Sequence, residues 1–199
     1  SLIFTYAVWH VTAVFSILSY IGIFSGSLIL FSYLYRILSN FFYKKFINIG
    51  SAVAHIGFGL LFIAISFNSI LSYEKNLNLA PGETILIDES IEEFSFDDIK
   101  VLKASNHDVI SVEVSLLQDG KNIFLNPQKR KYSTRGQITT ESSIHASILK
   151  DTYLTIGDQL ENGSWTFALK INYFIKWIWF SASLMVMGML ITILKKKAI

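Results

Sequence analysis

Three apolar runs and one long alternating stretch set the layout of this chain. From Thr5 to Tyr35 there is no Asp, Glu, Lys or Arg, and the run from Asn48 to Phe67 (NIGSAVAHIGFGLLFIAISF) is equally free of charge. A third apolar run extends from Phe174 to Leu194 and stops at Lys195, Lys196 and Lys197. Each is long enough to cross a hydrocarbon core of about 30 Å as a helix. The first is too long for a signal peptide and lacks its basic leader, so it reads as a membrane helix. Its small-residue patch, Gly22, Ser25, Gly26 and Ser27, suits close packing on another helix, or a break into two shorter segments. The second helix is expected to end near Ser69.

Between Glu74 and Tyr173 the helical pattern gives way to period two. Ile110, Val112, Val114 and Leu116 alternate with Ser111, Glu113 and Ser115, Asp119-Gly120 supplies a hairpin turn, and Ile123 to Leu125 returns. A second hairpin is expected to pair Tyr153–Ile156 with Trp165–Ile171 across Gly157 and Gly163. Trp165, Phe167, Leu169 and Ile171 would share its one buried face. Pro81-Gly82 marks a turn near the start of the region. The predicted fold class is an integral membrane protein with α-helical spans and an inserted outside β-rich domain, a small sandwich or partly open barrel. The chain divides into residues 1–46 (first span and inside loop), 47–72 (second span), 73–172 (β domain) and 173–199 (third span and basic tail).

Composition agrees with that layout: 52% of residues are hydrophobic and 16% charged, against about 25% charged in ordinary soluble domains. A formal net charge of +2 gives no footing for nucleic acid. With no cysteine there is no disulfide or thiolate metal site, and any thiol chemistry belongs to a partner. The basic residues matter by position. Arg36, Lys44 and Lys45 follow the first span and Lys195–Lys197 the third, which places both clusters on the cytoplasmic or matrix side. Three spans then put Ser1 and the β domain outside.

The candidate chemistry centres on His55, inside the second span. Ser51 and Ala52 one turn before it and Gly59 one turn after share its face, leaving room for a neighbouring helix or a flat cofactor. An imidazole in hydrocarbon costs free energy unless buried in protein, paired or bound. Two readings stand: a packed histidine bonded to a carbonyl, or a ligand or proton-carrying group. His10, beside Tyr6 and Trp9, fits an interfacial aromatic cluster, and His107 and His145 fall among polar residues of the β region. No two histidines are three or four residues apart, as a helical zinc site would need. The run Pro127-Gln128-Lys129-Arg130-Lys131-Tyr132 with Arg135 reads as a solvated basic loop. Its functional alternative is that Lys129, Arg130 and Arg135 contact an acidic partner or heme propionates. Lys176, Trp177 and Trp179 fit an interfacial belt, and no Ser/His/Asp constellation or phosphate-cradling glycine loop is present.

Six stretches in order resemble the C-terminal part of the CcmF family, the large membrane subunit of the cytochrome c maturation heme lyase. They are AHIGFGLL at Ala54–Leu61, PGET at Pro81–Thr84, NPQKRKY at Asn126–Tyr132, TTESSI at Thr139–Ile144, DTYLTIGD at Asp151–Asp158 and KWIWFSASLMVMG at Lys176–Gly188. The resemblance implies attachment of heme to apocytochrome c, in concert with a heme chaperone and a thiol-handling subunit. It implies that His55, in the AHxG stretch, is one axial ligand of a heme b lying in the groove of Ser51, Ala52 and Gly59. The second ligand would come from another chain or an earlier helix. The family's tryptophan-rich segment has no counterpart here, so the chain is expected to be a C-terminal fragment or split subunit, not catalytic alone. Its expected home is the bacterial or mitochondrial inner membrane. Tyr173 stands where the family usually has proline, which is expected to loosen the strand-to-helix corner. Two other classes fit the residues: a structural subunit without heme, and a membrane-anchored β binding domain.

Overall fold

The computed structural model describes residues 1–12, 16–43, 48–87, 91, 93–103, 106–133 and 136–197. They form two compact units: a helical one, residues 1–72, 148–150 and 172–199, and a β one, residues 73–147 and 151–171.

The helical unit holds α1 (Leu2–Thr12), α2 (Ile17–Tyr43), α3 (Ile49–Leu71) and α4 (Ile175–Lys197). Three of these, over Ile17–Asn40, Ile49–Leu71 and Ile175–Lys195, are long and apolar enough to cross a membrane. The first apolar run is therefore two helices, and its membrane-length part starts at Ile17 rather than Thr5. Ser16 lies outside both helices, while the glycine–serine patch lies inside α2 and is not a break. Ser16 accepts the Tyr20 amide, and Thr12 Oγ1 meets the Tyr20 hydroxyl at 2.9 Å, holding α1 back against α2. At 11 residues α1 reaches only about 16 Å. Lys44 and Lys45 lie outside the described residues.

α3 is the central helix, with α2 and α4 packed on it, and glycine sets both contacts. A Cβ on Gly26 would sit 2.6 Å from the Gly59 carbonyl oxygen, and one on Gly59 2.8 Å from that of Gly26. On the α4 side, a Cβ on Gly188 would lie 2.6 Å from the Gly50 oxygen, and one on Gly57 2.8 Å from the Ser181 oxygen. Backbones this close gain dispersion contact that lipid tails cannot supply. Asn48 caps α3 by accepting the Ser51 amide.

The β unit is a sandwich of two sheets. One has the order β1 (Tyr73–Leu79), β10 (Trp165–Tyr173), β9 (Lys150–Gln159), β8 (Ser143–Ala146). The other runs β2 (Thr84–Ile85), β3 (Glu93–Lys103), β4 (His107–Gln118), β6 (Gln128–Tyr132), β7 (Ile138–Glu141), with β5 (Lys121–Leu125) also on β4. The sheets meet face to face: Phe167 of β10 lies 5.7 Å from Phe94 and 5.1 Å from Phe96 of β3, ring to ring. Between them Thr152 Oγ1 donates to Gln118 Oε1, a buried polar pair at 2.9 Å. The expected β4–β5 hairpin turns on Asp119 and Gly120, both at positive φ, and Trp165, Phe167, Leu169 and Ile171 are buried together. The second hairpin turns later than the glycine spacing suggests, between Leu160 and Ser164. Gly157 stays within β9, where the Thr166 side chain fills the space a Cβ would need.

The corner from β10 into α4 is tied rather than loose. Tyr173 N–H donates to Ser72 Oγ at 2.9 Å, a bond proline could not make, and Asn68 Nδ2 donates to the Tyr173 carbonyl at 2.6 Å. Phe174 follows at φ 61°, an uncommon conformation for an aromatic residue, with its ring stacked on Phe67.

Candidate functional site

His55 lies in the second turn of α3, and its ring faces out from the helical unit. Nδ1 is 2.7 Å from the Ser51 carbonyl oxygen one turn back. A carbonyl only accepts, so Nδ1 carries the proton, and in the neutral ring Nε2 holds the lone pair. Nε2 has no partner among the described residues. Tyr33 of α2 stacks on the imidazole, centroids 4.4 Å apart and planes within 19°. Arg36 lies over the Tyr33 ring, its Cζ 5.4 Å from the ring centroid. Tyr33 thus contacts both groups, and its stacking restricts the plane in which His55 can turn. Sequence reading missed Tyr33 and saw in Arg36 only a topological charge. Their spacing of three along α2 was the available signal, because it places them on one face.

The groove expected beside His55 is differently used. Gly59 is buried, and its open side is occupied by the Gly26 backbone of α2, so it serves helix packing. Ala52 is buried as well, while Ser51 is half-buried and supplies the carbonyl that holds the imidazole. Of these residues, only His55 is exposed.

The basic run is β6 and not a loop, an interior strand between β4 and β7. Its polar alternation hid it, because sheet position rather than hydrophobicity makes it a strand. Lys129 Nζ pairs with Asp158 and donates to the Gly157 carbonyl at 3.2 Å. Arg130 pairs with Glu141 at 2.6 Å and donates to Gln128 Oε1 at 2.9 Å. Both cations are thus engaged inside the β unit, and Arg135 lies outside the described residues. His10 is exposed near Tyr6, His145 is exposed on β8, and His107 bonds to Asn106 beside Tyr132. His107 and His145 belong to the β unit, and His10 and His55 to the helical one.

A model of the CcmF C-terminal β-sandwich matches residues 70–173, more than half of the chain. The chain belongs to the CcmF family. It is 33% identical to the cytochrome c-type biogenesis protein CcmF of Pseudomonas aeruginosa over 140 residues, 70% of this chain and 21% of that protein. With CcmF of Escherichia coli it shares 31% identity over the same fractions. The solved structure of a cytochrome c heme lyase CcmF superposes with a TM-score of 0.59 at 15% identity, covering 72% of this chain and 24% of that one. That likeness is one of fold. The chain spans about a fifth of the length of the curated CcmF proteins it matches.

Proposed function

We propose that this chain serves cytochrome c maturation as the C-terminal part of a CcmF-type heme lyase, in which His55 is one axial ligand of a membrane heme b. The observation that carries the reading is the state of the imidazole. Its Nδ1–H is spent on the Ser51 carbonyl, its plane is held by Tyr33, and its Nε2 faces outward from an apolar helix. The carbonyl bond fixes the tautomer and makes Nε2 a better donor to iron, as outer partners of ligating histidines do. A heme held there supplies a one-electron carrier within the membrane. The chain contributes the nitrogen, its orientation and an apolar surround. A second ligand would come from another chain or from sequence outside these residues, as would the tryptophan-rich segment, the heme chaperone and the thiol-handling subunit that meet apocytochrome c.

This division of labour is testable. Purified alone, the chain is expected to attach no heme to apocytochrome c, and activity should return when the complementary part of the lyase is co-expressed. Maturation by a monodisperse preparation of this chain without other lyase subunits would refute the proposal.

The membrane orientation belongs to the same proposal: the α2–α3 connection and the C-terminus inside, the β unit outside in the periplasm or intermembrane space. Cysteines introduced singly at Asn122 and Lys196 should react with an impermeant maleimide from opposite sides. Labelling of both from one side would overturn it.

A further inference from the structure

The bend between β8 and β9 carries two large aliphatic residues where turn chemistry asks for none. Ile148 is 73% exposed and Leu149 53% exposed, in a position usually filled by Gly, Asn, Asp or Ser. Residues 148–150 cluster with the helical unit. Phe174 N–H donates to the Leu149 carbonyl at 2.8 Å, which ties the bend to the residue just before α4. Ile148 also lines an apolar cleft of about 210 Å³ with Lys176, Trp177 and Phe180, all in the first two turns of α4. Trp179 beside them is 72% exposed.

The level of that first turn is set by the span it begins. The 21 residues of Ile175–Lys195 are just enough to cross the hydrocarbon, so Ile175 cannot stand far from the membrane boundary. Tryptophan and lysine at the start of a span are the residues that settle at the headgroup level. A bend tied to that turn lies at the same depth. We propose that Ile148 and Leu149 enter the interface between headgroups and acyl chains, so that the β8–β9 bend is a membrane-docking element in its own right. The occupant of this surface is lipid, because Ile148 shares its cleft with Trp177 and Phe180 at the start of a membrane-length helix whose exposed apolar residues lipid must cover. The inference rests on α4 as a span and is independent of the heme reading.

The chain contains no cysteine, so a single nitroxide can be placed by Ile148→Cys, and in a second variant by Leu149→Cys. Both sites are exposed, which leaves packing undisturbed. The full chain is reconstituted in nanodiscs of phosphatidylcholine and phosphatidylglycerol, with Asn122→Cys as the aqueous reference and Val186→Cys as the mid-span reference. Power saturation with dioxygen and with a nickel chelate reads depth. We expect both bend positions to favour dioxygen over the chelate, at a depth between the two references. Chelate accessibility equal to that at Asn122 would place the bend in water and overturn the proposal. Low accessibility to both probes would show that protein covers the surface, and would equally overturn it.

Discussion

Replacing Gly59 by leucine is expected to drive α2 and α3 apart. Even the first carbon of the new side chain would lie 2.8 Å from the Gly26 carbonyl oxygen and 3.1 Å from the Leu30 nitrogen, backbone atoms with no rotamer to yield. Overpacking a well-filled interior costs about 1–3 kcal/mol, and a contact between two backbones belongs at the upper end. For a chain of this size that corresponds to a fall in melting temperature on the order of 5–10 °C, read by a thermal scan of the chain or its complex in detergent. Gly59→Ala should cost less, because only one carbon must be accommodated. Ile65→Leu, on an exposed part of the same helix, should change nothing measurable. A parallel loss of heme in Gly59→Leu would follow from helix separation, since Tyr33 leaves His55 when α2 moves. Unchanged stability in Gly59→Leu would show that the α2–α3 contact is not made.

The second large effect is that of His55→Ala on a complex carrying low-spin heme. On the proposed assignment, removing the imidazole takes away one strong-field ligand at the cost of little packing beyond its stack on Tyr33, because the residue is exposed and bonds only along its own helix. The low-spin optical and paramagnetic signatures should disappear, heme content should fall, and subunit assembly should persist. Added imidazole should restore part of the low-spin spectrum by occupying the vacated position. Tyr33→Phe, which keeps the stacking surface, should leave the spectrum in place. Tyr33→Leu should weaken it by freeing the ring to turn.

The spans and the sandwich were legible because each is written in a period. Apolar runs of membrane length mark α2, α3 and α4, and the alternation of Trp165, Phe167, Leu169 and Ile171 marks β10. What the sequence concealed depends on contacts between elements. β6 is a strand because β4 and β7 flank it, although Gln128-Lys129-Arg130-Lys131 reads as a solvated run. The split between α1 and α2 has only Ser16 as its local signal, with apolar residues on both sides. The largest shift concerns the small residues around His55. Spacing puts Ala52, His55 and Gly59 on one face, but spacing cannot say whether a helix or a cofactor fills the room they leave. At Gly59 it is a helix, brought in by Gly26 from 33 residues earlier. The same crossing brings Tyr33 onto His55, a neighbour that only the tertiary contact reveals.

The most direct test of His55 as an iron ligand labels this chain alone with ¹⁵N-histidine and assembles it with unlabelled partners. Pulsed paramagnetic resonance of the ferric complex then reads nitrogen bound to iron. We expect a directly coordinated ¹⁵N signal that is lost in His55→Ala while His10, His107 and His145 remain labelled. A low-spin ferric heme in the assembled complex without any ¹⁵N ligand from this chain would contradict the assignment.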